Sequence, residues 1–259
     1  MAPLLGRKTH AKEATAANLP PLLVGQHHTE SSALHSLYFL GPLSRWSNFL
    51  RAVEATSNTQ TWSPRVIKYT QRLDEEAVQV GDEHGVQGRF QQSLGSLMGH
   101  VFKAQSIDLH FADFKCLGSS YTDVPDVILK NSNNELKVIG ELKAPWIEQH
   151  KLGGFYNEDE LRQLLAQPIN YMQSLNCMYG FLSTYDETIF LRQELINGVW
   201  QVSYSPVIKG STSYVPSNAT NVLGSPVVSV KQCFLYLASL AVQQGPVFNN
   251  TPQSQWFLD

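Results

Sequence analysis

Two short apolar runs on either side of an asparagine-rich turn constrain this chain most. They lie within Tyr121–Trp146, which reads YTDVPDVILKNSNNELKVIGELKAPW. The first run, Asp126–Lys130, is apolar and partly β-branched, and the second spans about Leu136–Leu142. Between them, Asn131-Ser132-Asn133-Asn134 is turn chemistry, because such side chains bond their own backbone. The pattern predicts a β-hairpin. Side chains alternate faces along a strand, so residues two apart share a face. Glu141 and Lys143 then point one way, and Leu136, Val138, Gly140 and Leu142 the other. Pairing about the turn puts Asp126 roughly opposite the Glu141 end. The expectation is two carboxylates and one ammonium at the end of a two-stranded ribbon.

Two carboxylates at a strand end make a hard-oxygen site suited to Mg²⁺, which takes one or two carboxylates and keeps several waters. Such a metal polarises a phosphoryl oxygen and lowers the pKa of a bound water. A lysine at Lys143 would hold the attacking water or offset charge growing on phosphate. The competing reading is an exposed strand end whose Glu and Lys are solvated charges. Pro125-Asp126 at hairpin distance, with an apolar run between, favours the site.

Pro125-Asp126 followed by Glu141-Leu142-Lys143 resembles the signature of the PD-(D/E)XK nuclease superfamily. The resemblance implies an α/β (α+β) fold with a restriction-endonuclease-like αβββαβ core, a central mixed sheet flanked by helices. Extra N-terminal helices and a C-terminal helix would elaborate it. It also implies Asp126 and Glu141 as metal ligands, the Leu142 carbonyl as a third, and Lys143 as the catalytic lysine. The first core helix of that family often supplies another acidic ligand, and Glu83 is the candidate, ahead of Glu75 and Glu76. Gln167 and Tyr171, four apart and preceded by Gln163, resemble the Gln-x-x-x-Tyr element of the RecB-like branch, whose side chains support the site or hold phosphate. The run Phe181–Gln193 resembles fungal nuclease-like proteins of this type.

At 259 residues the chain suffices for one sizeable domain or two small ones. Its net charge of −3 means that a nucleic-acid enzyme must concentrate its basic residues locally, since phosphate affinity is mainly electrostatic. Cys116, Cys177 and Cys233 are far apart, odd in number and in apolar surroundings, which argues against a zinc site or a disulfide framework and for a reducing compartment. No apolar leader follows Met1 and no run approaches membrane-span length. The expected setting is intracellular, cytoplasmic or nuclear, with neither secretion nor a membrane.

Along the chain, residues 1–30 read as a flexible arm ending in His27-His28, whose spacing fits solvent exposure better than a metal site. One domain is expected over 31–259, with a helical elaboration at 31–80, a core at 82–208 and a C-terminal helix at 225–245. The elaboration reads as two short helices broken at Gly41-Pro42, then a helix from Ile67 to about Val80. In the next helix Val86, Phe90, Leu94, Leu97 and Val101 form one apolar stripe, with Glu83 on the same face and Gly85, Gly88, Gly95 and Gly99 permitting close approach. A first strand should fall within Ile107–Leu117, with Asp108 and His110 facing solvent. A helix from about Asn157 to Leu175 should be kinked or broken at Pro168. Strands are expected at 178–183, 188–193 and 200–207, then a loop over Lys209–Gly224 and a helix capped at Ser225-Pro226. Trp256-Phe257-Leu258 should fold back.

The leading expectation is a Mg²⁺- or Mn²⁺-dependent nuclease acting on nucleic acid, DNA ahead of RNA, with a protein partner or homo-oligomer open. The alternatives are an inactive nuclease-fold binding or scaffold module, and a metal-dependent hydrolase of another substrate.

Overall fold

Eight strands, numbered here in chain order, form one mixed sheet: β1 Leu43–Arg45, β2 His110–Ala112, β3 Val127–Lys130, β4 Leu136–Leu142, β5 Tyr179–Ser183, β6 Glu187–Ile196, β7 Val199–Tyr204 and β8 Ile208–Lys209. This computed structural model describes residues 7–31, 36–69, 78–118, 124–154, 157–219 and 225–258. The spatial order is β1-β7-β6-β5-β4-β3-β2, with β8 on β6. The β4–β5 and β7–β1 pairs are parallel and the other pairs antiparallel.

The helices are α1 Ala11–Ala16, α2 Phe49–Thr59, α3 Glu83–Phe90, α4 Ser96–Ala104, α5 Glu158–Ser174 and α6 Val230–Ala241. From α3 onward the order is helix, three strands, helix, strand, as the sequence leads one to expect. Sheet residues facing opposite ways feed two cores. Val127, Val138, Phe181 and Phe190 pack with α2, α4 and α6, while Ile139, Leu182, Ile189 and Val202 pack with α5. Covered on both faces, β5 is buried throughout, which is why YGFLS lacks polar alternation. Among the described residues no helix is long and apolar enough to cross a membrane.

Gly140 shows how tightly these layers meet. A Cβ there would lie 2.0 Å from Phe181 Cζ, and that ring is wedged against Phe90 and Phe234 at centroid distances of 5.6 and 4.9 Å. Gly140→Ala should therefore cost about 1–3 kcal/mol or more through overpacking. Urea unfolding checks it; an unchanged midpoint would mean that the ring can move aside.

Several expectations fail, each for an identifiable reason. From Arg7 onward the N-terminal segment is no loose arm: Arg7–His10 pairs with Val66–Tyr69, and Ala11, Ala14 and Leu19 are buried. That pairing also makes the start of the supposed Ile67–Val80 helix a strand, while Gln79–Val80 pairs with Leu23–Val24. Glu75 and Glu76 lie outside the described residues. Of the two short helices expected before residue 55 the second forms, as α2, while residues 32–35 of the first lie outside the described residues. Gly41-Pro42 instead separates two extended segments, Tyr38–Phe39 and β1.

Pro168 neither breaks nor ends α5, which runs on to Ser174. Proline removes one backbone donor, and burial of Leu165, Ile169 and Met172 on the sheet outweighs that loss. The C-terminal helix begins at Val230, not near 225, because Ser229 and Gln232 form the capping box. Val227 is occupied in a bridge to Val215. Of the helical glycines, Gly85 and Gly95 do face close neighbours, Val80 and Phe111, whereas Gly88 and Gly99 face open space. The C-terminal Phe257–Leu258 does fold back, pairing with Tyr38–Phe39 while Trp256 is buried.

Candidate active site

The hairpin register builds the site. Val127 pairs with Gly140 and Ile128 with Ile139, so Asp126, one residue earlier, falls across from Glu141. Directly opposed residues on antiparallel strands project to the same face. Asp126 Oδ2 accepts the Leu142 amide at 2.9 Å, which ties the carboxylate to the end of β4. On the other side of Asp126, Gln87 Nε2 of α3 donates to its carbonyl oxygen. Lys143 Nζ lies 2.8 Å from Glu141 Oε1, as two residues on one strand face should. The Lys143 amide donates to Ser183 O of β5 at 3.0 Å. Glu141 is 3 % exposed, and its Oε2 is buried without a hydrogen-bond partner among the described residues.

Glu83 is the first residue of α3, whose N-cap Asp82 accepts the Gly85 amide at 2.7 Å. It is half-buried, not fully inward, and its Oε1 lies 4.0 Å from His150 Nδ1. Its charge reaches Asp126, Glu141 and Lys143. The predicted carboxylates therefore form one electrostatic group.

The pKa shifts follow from that grouping. Burial, then the Asp126 charge, push the Glu141 carboxyl up to about 8, against the pull of Lys143. Burial also raises Asp126, outweighing the Leu142 amide and Lys143. At Lys143 burial acts downward, but Glu141, Glu83 and Asp126 together outweigh it and hold the ammonium above its usual value. Asp126 and Glu141 therefore hold their protons more tightly than isolated carboxyls would.

On α5, Gln167 Nε2 donates to Tyr171 Oη at 3.0 Å. Arg162 bonds the carbonyls of Phe39 and Gly41, which lead into β1 at one sheet edge. At 100° per residue Gln167 and Tyr171 lie on the opposite flank of α5 from Arg162. Gln163 is half-buried one turn earlier. At Leu142 the group that meets Asp126 is the backbone amide. Asp108 and His110 are exposed, as expected.

Two further parts of the site carried no sequence signal. The first is His150, fully buried just after the β4 strand. Its Nδ1 donates to Ala144 O at 3.1 Å, its Nε2 is buried without a partner among the described residues, and burial lowers its pKa. The second is a strap over residues 23–29. Thr29 N donates to Gly81 O at 2.9 Å, and Trp146 Nε1 donates to Thr29 O at 2.8 Å, so the strap joins the start of α3 to the chain after β4. His28 is held edge-on to Trp146 at 5.5 Å, away from any pairing with His27 as ligands. Gln87 alone had a signal, being one helical turn after Glu83.

A cleft of about 660 Å³ opens beside the site, between Pro145 after β4 and Thr184 after β5. Lys151 and Lys209 line it, together with Glu148, Asp186 and Glu187. Glu187 Oε2 is committed to the amides of Leu152 and Gly153, at 2.8 and 2.9 Å. Among the described residues no three His, Cys, Asp or Glu side chains gather as a ready metal cage. Comparison with protein-family models, curated proteins and solved structures finds no match to this chain.

Proposed function

We propose that this chain is a metal-dependent nuclease of the PD-(D/E)XK type, hydrolysing phosphodiester bonds of nucleic acid, DNA ahead of RNA. The α-β-β-β-α-β order and the parallel β4–β5 pair support a restriction-endonuclease-like core. The observation that carries the reading is the convergence of Asp126, Glu141 and Lys143 on one face of adjacent strands, with Glu141 Oε2 buried and without a partner among the described residues. A buried acceptor without a donor costs about 1–3 kcal/mol, and a bound cation removes that cost.

The donor set fits Mg²⁺ or Mn²⁺, since two carboxylates with room for water are what a hard, hydrated cation takes. Asp126 and Glu141 would hold it, with Glu83 as a further carboxylate beside them. When bound, the cation polarises a phosphoryl oxygen and activates water. Lys143, which meets Glu141 Oε1 at 2.8 Å, would hold the attacking water or act as an electrostatic clamp on the phosphate. The Leu142 amide fixes Asp126, and Gln87 fixes the backbone beneath it. Gln167 and Tyr171, bonded to each other on α5, would order water or substrate phosphate.

The test is incubation with plasmid, single-stranded DNA and RNA, in Mg²⁺, Mn²⁺ or chelator. Asp126→Asn and Lys143→Ala should each lower cleavage by about 100-fold or more while the protein stays folded. Cleavage that persists in both variants ends the proposal. The cleft walls favour one second reading, because their three carboxylates against two lysines suit a less anionic substrate. That reading is a metal-dependent hydrolase acting on something other than nucleic acid. It predicts cation binding with no cleavage of any of the three nucleic acids.

A further inference from the structure

A fully buried imidazole with one ring nitrogen unsatisfied is an expensive thing to keep, and among the described residues His150 is one. Its position gives the reason. A carbonyl only accepts, so the 3.1 Å contact from Nδ1 to Ala144 O puts the ring proton on Nδ1. Ala144 directly follows Lys143, and its carbonyl is thereby pinned to the turn that carries His150. The same Nδ1 lies 4.0 Å from Glu83 Oε1. One N–H thus faces two oxygens, one from the chain just after β4 and one from the first residue of α3.

We infer that His150 is a positioning residue for the carboxylate cluster: its Nδ1–H fastens the chain after Lys143 through Ala144 O, and its buried ring borders Glu83 of α3. The inference rests on the metal-site reading above. Glu83 stands half-exposed on the first turn of α3, 4.0 Å from the buried ring. The bond to Ala144 O stops the segment after Lys143 from swinging outward. His150 touches no reacting atom; it acts through Ala144. Its Nε2 has no part in this role, which separates the two ring nitrogens experimentally.

Asn in place of His150 keeps an amide N–H near the Nδ1 position, whereas Ala removes it and Gln moves the amide toward the Nε2 position. The probe is Mn²⁺ alone, titrated into the full chain, with the rise in melting temperature as readout and no turnover needed. The Mn²⁺ midpoint should move about 10-fold higher in His150→Ala, return most of the way in His150→Asn, and stay displaced in His150→Gln. Near-ultraviolet circular dichroism in chelator confirms that each variant is folded. A folded His150→Ala with the wild-type midpoint, or a folded His150→Asn no better than His150→Ala, overturns the inference alone. A wild-type protein that ignores Mn²⁺ overturns the metal-site reading and the inference with it.

Discussion

Glu141→Gln is expected to melt above the wild-type protein in chelator and to cleave nothing in Mg²⁺. Glutamine keeps the shape of the side chain and an oxygen for Lys143 Nζ, but it removes a carboxyl whose ionisation the fold resists. Burial and Asp126 hold that carboxyl at about 8 against an ordinary 4.5, so its pKa is raised on folding. The sign follows from proton linkage. Below about pH 4.5 folded and unfolded chains both carry the proton, and the variant gains nothing from losing the charge. Between 4.5 and about 8 the unfolded chain has released a proton that the folded chain keeps, so the wild type loses stability as pH rises. The gap between the variant and the wild type should open across that window and level off above it. Thermal melts at a series of pH values measure it. A variant that melts lower at every pH would mean that the Lys143 pair, not the buried carboxyl, dominates this end of β4. Saturating Mn²⁺ should raise the wild-type melting temperature and leave Glu141→Gln unmoved.

The second large effect lies far from the site. Lys231, the second residue of α6, is 2 % exposed, and among the described residues no carboxylate pairs with its ammonium. Burial alone lowers its pKa from the ordinary 10.5 to about 8. That depression corresponds to about 3 kcal/mol of stability forgone at neutral pH. Lys231→Met, which replaces the ammonium with an unbranched apolar end, should recover most of it. Here the folded pKa lies below the unfolded one, so the direction reverses. The cost is complete below about pH 8, shrinks as pH climbs toward 10.5, and is gone above it. Urea unfolding at pH 7 and at pH 10.5 should show a clear gain at the first and almost none at the second. An equal gain at both would assign the effect to packing.

The hairpin was legible because each of its signals is local. Asn131–Asn134 made the turn, alternation set the faces, and the register that follows brought Asp126 opposite Glu141. The α5 cap at Asn157 and the strands around Phe181 and Phe190 were local in the same sense. What sequence could not supply were pairings between distant segments. Nothing in Val66–Tyr69 announces that Arg7–His10 will lie beside it, so its apolar residues read as helix. Glu83 was legible through Val86 and Phe90, the buried α3 residues three and seven places after it; its place on the first turn of the helix leaves it half-exposed. His150 was invisible because a lone histidine in a polar loop has no spacing to betray it.

The strand formed by Leu23–Val24, with the small helix α1 before it, bears on how this protein is to be handled. A fragment begun at residue 31, the boundary that sequence alone recommends, would lack Ala11, Ala14 and Leu19 from the larger core. It would also leave Gln79–Val80 with an open edge directly before Glu83. Such a trimmed chain would keep all three signature residues and still present them on a shoulder that has lost its brace.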